Sequence, residues 1–296
     1  MPELPEVETI ARDMDAALRG CRLRAAEVRH PVVVADPGTG AFCQRLAGQS
    51  GAAVRRRGKF IVVDLSGGDH LVIHLRMTGR LLLQKVGTPP EKHTHVILRL
   101  QGNNGATREL HFHDTRRFGR LWLVDDAGLE ALLARLGPEP LADDFTSAQL
   151  AGLLANRSTR LKPLLMDQGS LAGLGNIYTD EALFQAGLHP EREAKSLSPA
   201  EVDRLYRAIR QVLTQAVSHR GTSLSDAEYR DTRGEKGQHQ GHVAVFRQQG
   251  SPCPRCGATI QRTRLAGRST HFCPQCQPPP TNVLSAQRCQ NGGDQD

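Results

Sequence analysis

Two short cysteine pairs restrict this chain more than any other feature: Cys253-Pro254-Arg255-Cys256 and, sixteen residues on, Cys273-Pro274-Gln275-Cys276. Two such knuckles across a β-hairpin can bring four thiolates tetrahedrally around one zinc ion. All four ligands are protein groups, so no coordination position remains for water and the site is structural. Cys21, Cys43 and Cys289 are scattered and the total of seven is odd, which argues against a disulfide framework. The predicted hairpin between the knuckles carries Arg262, Arg264 and Arg268, so the metal stiffens a basic finger.

The charge pattern points the same way. The net charge is +7, and no Asp or Glu occurs from Lys236 to Gly293. Arg247, Arg255, Arg262, Arg264 and Arg268 lie in that span. A one-signed stretch suits a polyanionic partner such as nucleic acid, although a solvated basic face reads alike. The start shows no charged-then-apolar leader, and no apolar run approaches membrane-spanning length. The expectation is a monomer in the bacterial cytoplasm, associated with the nucleoid when on DNA, and no membrane partner.

The remaining 39% hydrophobic, 4% aromatic sequence divides by texture. Residues 5–19 read as an amphipathic helix, with Val7, Ile10, Met14 and Leu18 on one face and Gly20 as the stop. From 22 to 124 short strands dominate: 59–65 with 70–75 and 95–100 with 109–113 form hairpins, and 118–124 is another strand. Such spacing predicts a sandwich of two antiparallel sheets. Beyond Asp125 the pattern is helical. Thr146 with Gln149, and Ser198 with Glu201, are capping boxes. Residues 161–187 read as helix, glycine-rich turn, helix. Val202, Leu205, Ile209, Leu213 and Val217 form a helical stripe, and 222–242 is a long polar loop.

The N-terminus reads Met1-Pro2-Glu3-Leu4-Pro5-Glu6. Removal of the initiator methionine exposes a secondary amine, and an α-amine with a pKa of roughly 8 is partly neutral and nucleophilic near neutral pH. Attack on an anomeric carbon would give an iminium, with Glu3 beside it to move protons. On residue types alone, two prolines ahead of a helix equally well just shape a turn.

Longer blocks carry a resemblance. Pro2–Thr9, Arg57-Gly58-Lys59-Phe60, His74–Gly79 and Asp114-Thr115-Arg116-Arg117-Phe118-Gly119 are similar to the bacterial formamidopyrimidine-DNA glycosylases. So are Leu136–Leu141, Lys162–Asp167, Gly173–Tyr178 and the zinc knuckles. The blocks occur in order over about residues 2–276.

The resemblance implies an α+β multidomain protein: an N-terminal antiparallel β-sandwich with its leading helix (1–125) and a helical helix–two-turn–helix domain (126–225). A flexible lesion-capping loop (226–244), a C-terminal β-hairpin zinc finger (245–277) and a disordered tail (278–296) follow. Double-stranded damaged DNA is the implied partner, lying in a basic cleft between domains, with one structural zinc and no organic cofactor. Pro2 is implied as the Schiff-base nucleophile, Glu3 as the acid that opens the sugar, and Lys59 as a phosphate contact that assists β-elimination. Arg268 would grip the lesion phosphates and assist δ-elimination. Met77, Arg116 and Phe118 match residues that fill the space left by an everted base, although by type alone Met77 and Phe118 would be core. His93, Asn176, Arg157 and Lys162 match DNA contacts.

The chain also departs from the family pattern. Asn156-Arg157-Ser158-Thr159-Arg160 replaces a lysine-rich stretch, and residues 228–250 lack the usual aromatic and Tyr-Gly-Arg elements, so base preference is the open part of the implied function. Excision of oxidised purines, 8-oxoguanine opposite cytosine and formamidopyrimidines, followed by β,δ-elimination, is the expected activity. One rival is an endonuclease VIII-like enzyme for oxidised pyrimidines, disfavoured by Leu4, Val7 and the Arg116–Phe118 pair. Another is a catalytically silent DNA-binding protein, which would need neither Pro2, Glu3 nor Lys59.

Overall fold

The computed structural model describes residues 2–224 and 229–279. They fall into two compact units: the described parts of Met1–Leu136 with Gln215–Gly241, and of Gly137–Thr214 with His242–Asp296.

In the first unit, helix α1 (Leu4–Leu18) is followed by β1 (Arg22–Val28), β2 (Val34–Asp36), α2 (Thr39–Leu46), β3 (Gly51–Arg57) and β4 (Phe60–Leu65). Then come β5 (His70–His74), β6 (Gly79–Lys85), β7 (Thr94–Gln101), β8 (Thr107–Asp114), β9 (Arg120–Val124) and α3 (Asp126–Leu133). The strands form a four-stranded sheet, ordered β1-β7-β8-β6, and a five-stranded one, ordered β2-β9-β5-β4-β3. Both predicted hairpins are present as antiparallel pairs, β4 with β5 and β7 with β8. The pair β2–β9 is parallel. The two-sheet expectation is therefore modified at one edge, where a three-residue strand arrives from a 3-10 turn at Pro31–Val33 instead of from a hairpin.

The inner faces of the sheets share one core. Ile61, Val63, Ile73 and Leu121 from one sheet meet Leu81, Val96, Leu98 and Phe112 from the other. The apolar stripe of α1, Val7, Ile10, Met14 and Leu18, enters the same core. Burying each such side chain contributes about 1.5–3 kcal/mol, enough to anchor the helix and whatever precedes it. Val62 and Val72 point to the other side and pack beneath α3 with Leu129. Covered on both faces, β4 has almost no polar alternation and reads as an apolar run.

The second unit holds α4 (Ser147–Leu154), α5 (Leu161–Met166), α6 (Asn176–Ala186), α7 (Pro199–Ser218) as far as Thr214, and the hairpin β10 (Gln261–Leu265) with β11 (Arg268–Phe272). Thr146 and Gln149 form the expected capping box on α4. Gly187 closes α6 in the left-handed region at φ 68°. The zinc-module core is Phe184, Val245, Cys253, Ile260 and Cys273. Among the described residues no helix is long and apolar enough to cross a membrane. Most of the expected tail, 280–296, residues 226–228 of the expected capping loop, and residue 225 at the end of the expected helical domain lie outside the described residues.

Candidate catalytic and nucleic-acid-binding residues

Pro2 and Glu3 are both buried at the head of α1, Glu3 to 3% exposure. Glu6 fixes them: one carboxylate oxygen accepts the Glu3 amide at 2.8 Å and the other accepts the Thr222 amide at 2.7 Å. Gly221 makes that approach possible, since a Cβ there would lie 2.8 Å from Glu6 Oε1 and its φ is +80°. Sequence reasoning assigns Glu6 only to the helix N-terminus, because its partner lies more than two hundred residues away.

Lys59 is expected within a strand. It sits instead in the two-residue turn between β3 and β4, after Gly58 at φ 56°, and is 6% exposed. Such burial is unlike that of an ordinary surface lysine. The turn is tied to α1 through Arg56, whose guanidinium bonds Glu8 at 2.8 Å and the Gly58 carbonyl at 3.1 Å. Burial pushes the Glu8 carboxyl up, but Arg56 and Arg12 together outweigh this and hold it below the ordinary carboxylate range.

Beside Lys59, His74 is buried and its imidazole pKa falls to about 3, chiefly from burial and then from the Arg76 and Lys59 charges. Its Nδ1 accepts the Arg76 amide at 3.0 Å, which only a neutral ring can do. The folded state therefore binds fewer protons than the unfolded one between pH 6.5 and about 3. Stability present above pH 6.5 is lost as the pH falls through that window, by about 2 kcal/mol at pH 5 from this group. Denaturant midpoints of the wild type should fall on acidification. His74→Asn, which keeps an acceptor but cannot titrate, should flatten the profile, whereas an unchanged slope would refute the assignment.

Two loops of the first unit present the expected void-filling residues. Met77, between β5 and β6, is 40% exposed, and Phe118, between β8 and β9, is 47% exposed. Their apolar character suggests core, and the structure overturns that reading. The cause is local backbone: Arg76 and Arg117, each immediately before the exposed residue, adopt φ of 53° and 56°. Left-handed conformations cost non-glycine residues energy and cluster at functional sites. The Arg116 guanidinium lies 4.6 Å from the centroid of the Phe118 ring, so the two side chains are pre-stacked. His93 is half-buried in the turn before β7, its ring edge-on to His113 at 5.8 Å.

In the second unit, Gln168 organises the turns between α5 and α6. Its side chain donates to the Met166 and Leu174 carbonyls, both at 2.8 Å, and accepts the Gly173 amide at 3.0 Å. Gly173 is left-handed at φ 95°. Asn176 begins α6 and donates to Ser269 Oγ at 3.3 Å. Arg157 is exposed between α4 and α5.

Lys162 departs from expectation. It is 1% exposed, its ammonium 2.7 Å from Asp180 Oδ1 and 2.7 Å from the Ser269 carbonyl. A buried ammonium needs such partners, so Lys162 braces α5 against β11 and is not a surface phosphate contact. Asp180 accepts the His271 amide at 2.9 Å, and Glu181 accepts the amides of Ala244, Val245 and Phe246 at 2.8–2.9 Å. Consecutive acids of one helix thus hold both sides of the cysteine module. Gln277 locks its end, accepting from the Cys273 amide at 2.9 Å and donating to the Leu188 carbonyl at 2.8 Å. None of these three partners is foreseeable from sequence.

The sulfur atoms of Cys253, Cys256, Cys273 and Cys276 all lie within 4.8 Å of one another, with Cys253–Cys276 at 3.9 Å and Cys256–Cys273 at 3.5 Å. Tetrahedral zinc with bonds near 2.3 Å requires sulfur separations of about 3.8 Å. Burial with neighbouring thiols pushes Cys276 up to about 12 and Cys273 up as well, whereas at Cys253 the Arg255 and Cys256 amides and neighbouring thiols overcome burial and bring the thiol down to about 7. The donor set fits one structural zinc. On the hairpin, Ala266 and Gly267 form the left-handed turn at φ 47° and 77°, and Arg262, Arg264 and Arg268 are exposed.

A sandwich with a buried N-terminal proline and a helical unit joined to a four-thiolate hairpin are matched in chain order by known families. The formamidopyrimidine-DNA glycosylase N-terminal domain matches residues 1–121, the formamidopyrimidine-DNA glycosylase H2TH domain 136–228, and the zinc finger found in FPG and IleRS 250–279. A formamidopyrimidine-DNA glycosylase of Pelotomaculum thermopropionicum is 46% identical over 94% of this chain and 99% of its own length. That of Moorella thermoacetica is 49% identical over 89% and 95%. Among solved structures, a Lactococcus lactis FPG mutant in complex with Fapy-dG-containing DNA has a TM-score of 0.87 at 33% identity, covering 94% of this chain and all of that one. MutM in complex with carbocyclic 8-oxo-G-containing DNA has a TM-score of 0.86 at 34% identity, with the same coverage. The class defined is a glycosylase with abasic-site lyase activity, carrying a helix–two-turn–helix and a zinc finger. Within it, the chain belongs to the formamidopyrimidine-DNA glycosylase family.

Proposed function

We propose that this enzyme removes oxidised purines, 8-oxoguanine opposite cytosine and formamidopyrimidines, from duplex DNA and then cuts the strand by β,δ-elimination, using Pro2 as nucleophile. The observation that carries the substrate reading is the pair of solvent-facing loops bearing Met77 and the stacked Arg116–Phe118. Excision requires the damaged nucleotide to leave the helix, which creates a hole and an orphaned partner. Apolar side chains held out on strained turns suit the hole, and a guanidinium suits the acceptor edge of a cytosine.

In this mechanism the neutral Pro2 nitrogen attacks C1′ and the glycosidic electron pair leaves with the base. Loss of the nitrogen's proton and opening of the sugar, aided by Glu3 as acid, give an iminium. The iminium acidifies the C2′ proton, whose removal expels the 3′ phosphate; a second elimination expels the 5′ phosphate. Lys59 supports the first elimination and Arg268 the second. His93, Asn176 and Arg157 contact phosphates, Asn176 at a helix start where free amides favour an anion. Lys162 braces α5 against β11. The zinc shapes the hairpin and takes no part in the chemistry. The enzyme acts as a monomer in the bacterial cytoplasm, where its substrate lies.

Excision rates on matched duplexes test the substrate class. An 8-oxoguanine·cytosine duplex should be processed about a hundredfold faster than a thymine glycol duplex, because purine and pyrimidine lesions offer different edges to the same groups. A reversed preference would assign the enzyme to oxidised pyrimidines.

A further inference from the structure

Three segments given DNA-facing roles above meet at one buried residue, two at its side chain and one at its backbone. Asp114, the last residue of β8, is fully buried. Its Oδ1 accepts from the Thr78 hydroxyl and, at 3.2 Å, from the Arg116 amide. Its Oδ2 accepts the Gly119 amide at 2.7 Å. The Arg116 amide also reaches Thr78 Oγ1 at 3.2 Å, which closes the link between the loops. On the backbone, the Asp114 amide donates to the His93 carbonyl at 2.9 Å, and its carbonyl accepts from His95 Nε2 at 2.8 Å.

Glycines fit around this knot. A Cβ on Gly79 would lie 2.4 Å from the Leu75 carbonyl oxygen, and one on Gly119 would lie 2.7 Å from Phe112 and 3.1 Å from Asp114 Oδ2. The glycines ending both motifs therefore answer to the approach of the loops to the core and, at Gly119, to Asp114.

From this convergence we infer that Asp114 is a positioning residue for lesion eversion: through Thr78 it sets the Met77 loop in register with the Arg116–Phe118 loop, so that hole filling and reading of the orphaned base occur together. The inference rests on the void-filling role given to those loops above. A carboxylate is needed because three donors converge on two oxygens; an asparagine has only one acceptor oxygen and turns an amide donor toward a donor. The bridge is needed because Met77 and Phe118 sit on separate strand connections, each with a left-handed residue that must be held from outside the loop.

The test compares Thr78→Val, Thr78→Ser and Asp114→Asn with wild type and Phe118→Ala on two readouts. One is the fluorescence of 2-aminopurine beside the base opposite a tetrahydrofuran site; the other is the ratio of kcat/KM for 8-oxoguanine opposite cytosine and adenine. Thr78→Val and Asp114→Asn should lose most of the fluorescence rise and about tenfold of the discrimination, the scale expected of a misplaced constellation. Thr78→Ser, which keeps the hydroxyl, should match wild type. Thermal melting of every variant separates this from global unfolding: lowered melting with both readouts intact would overturn the inference. So would Thr78→Ser failing as badly as Thr78→Val. A loss in Phe118→Ala but in neither Thr78→Val nor Asp114→Asn would overturn the role of Asp114 alone. An unaffected Phe118→Ala would overturn the void-filling reading and this inference with it.

Discussion

Pro2→Gly should cut both base excision and borohydride trapping on an 8-oxoguanine duplex by on the order of a thousandfold or more, a scale set by loss of a group on which every later step depends. Glycine still offers an α-amine, but a primary one on a flexible backbone, without the ring that fixes the direction of the lone pair. Pro2 is buried at the head of α1, where Glu6 bonds the next residue and reaches across to Thr222. The substitution thus loosens a segment built to be rigid while removing the secondary amine. Affinity for a tetrahydrofuran duplex should stay within about threefold, since a difference confined to the reacting bonds is expressed in kcat and not in ground-state binding. A protein whose position-2 nitrogen is acetylated should give no borohydride adduct at all. If acetylated protein, verified by intact mass, still incised at the wild-type rate, the covalent mechanism would have to be given up.

The sequence is most informative where chemistry is local. The cysteine spacing, the α1 stripe and the hairpins depend on neighbours a few residues apart, and residue type and period suffice to see them. It is silent where one side chain gathers distant partners. Glu6, Asp114 and Glu181 each accept from segments that no periodicity connects to them. Lys162 shows the converse: the motif resemblance implies a DNA contact there, yet its ammonium lies buried against Asp180. Met77 and Phe118 resist for another reason, since apolar type predicts burial and only the left-handed arginines ahead of them turn the side chains outward. The motif resemblance sets these two positions apart from core, but it gives no account of how they are held.

Replacing Cys273 with serine is expected to remove the metal and, with it, most of the enzyme's hold on DNA. Cys273 is fully buried, packs with Phe184, Val245 and Ile260, and donates its amide to Gln277. Structural zinc contributes on the order of 10 kcal/mol or more to the folding of such modules, and a three-thiolate remnant cannot replace a closed site. The consequence reaches DNA through geometry. The β10–β11 register that pairs Leu265 with Arg268 fixes the tip on which Arg268 stands, and Arg262 and Arg264 project from the same short hairpin. Asp180 and Glu181 still tether its flanks, so the module should melt locally without leaving α6, while the sandwich core, built from different strands, keeps its fold. Zinc released to a chromogenic chelator should fall from one equivalent to none, and affinity for an abasic-analogue duplex by about a hundredfold. The slope of log K against log salt should shrink by roughly one for each phosphate no longer neutralised, up to about three for the three hairpin arginines. Arg268→Ala, with zinc retained, should shrink it by about one. A metal-free protein that kept the wild-type salt slope would show that these arginines grip phosphate without the thiolate cluster, and the role given to the zinc would fail.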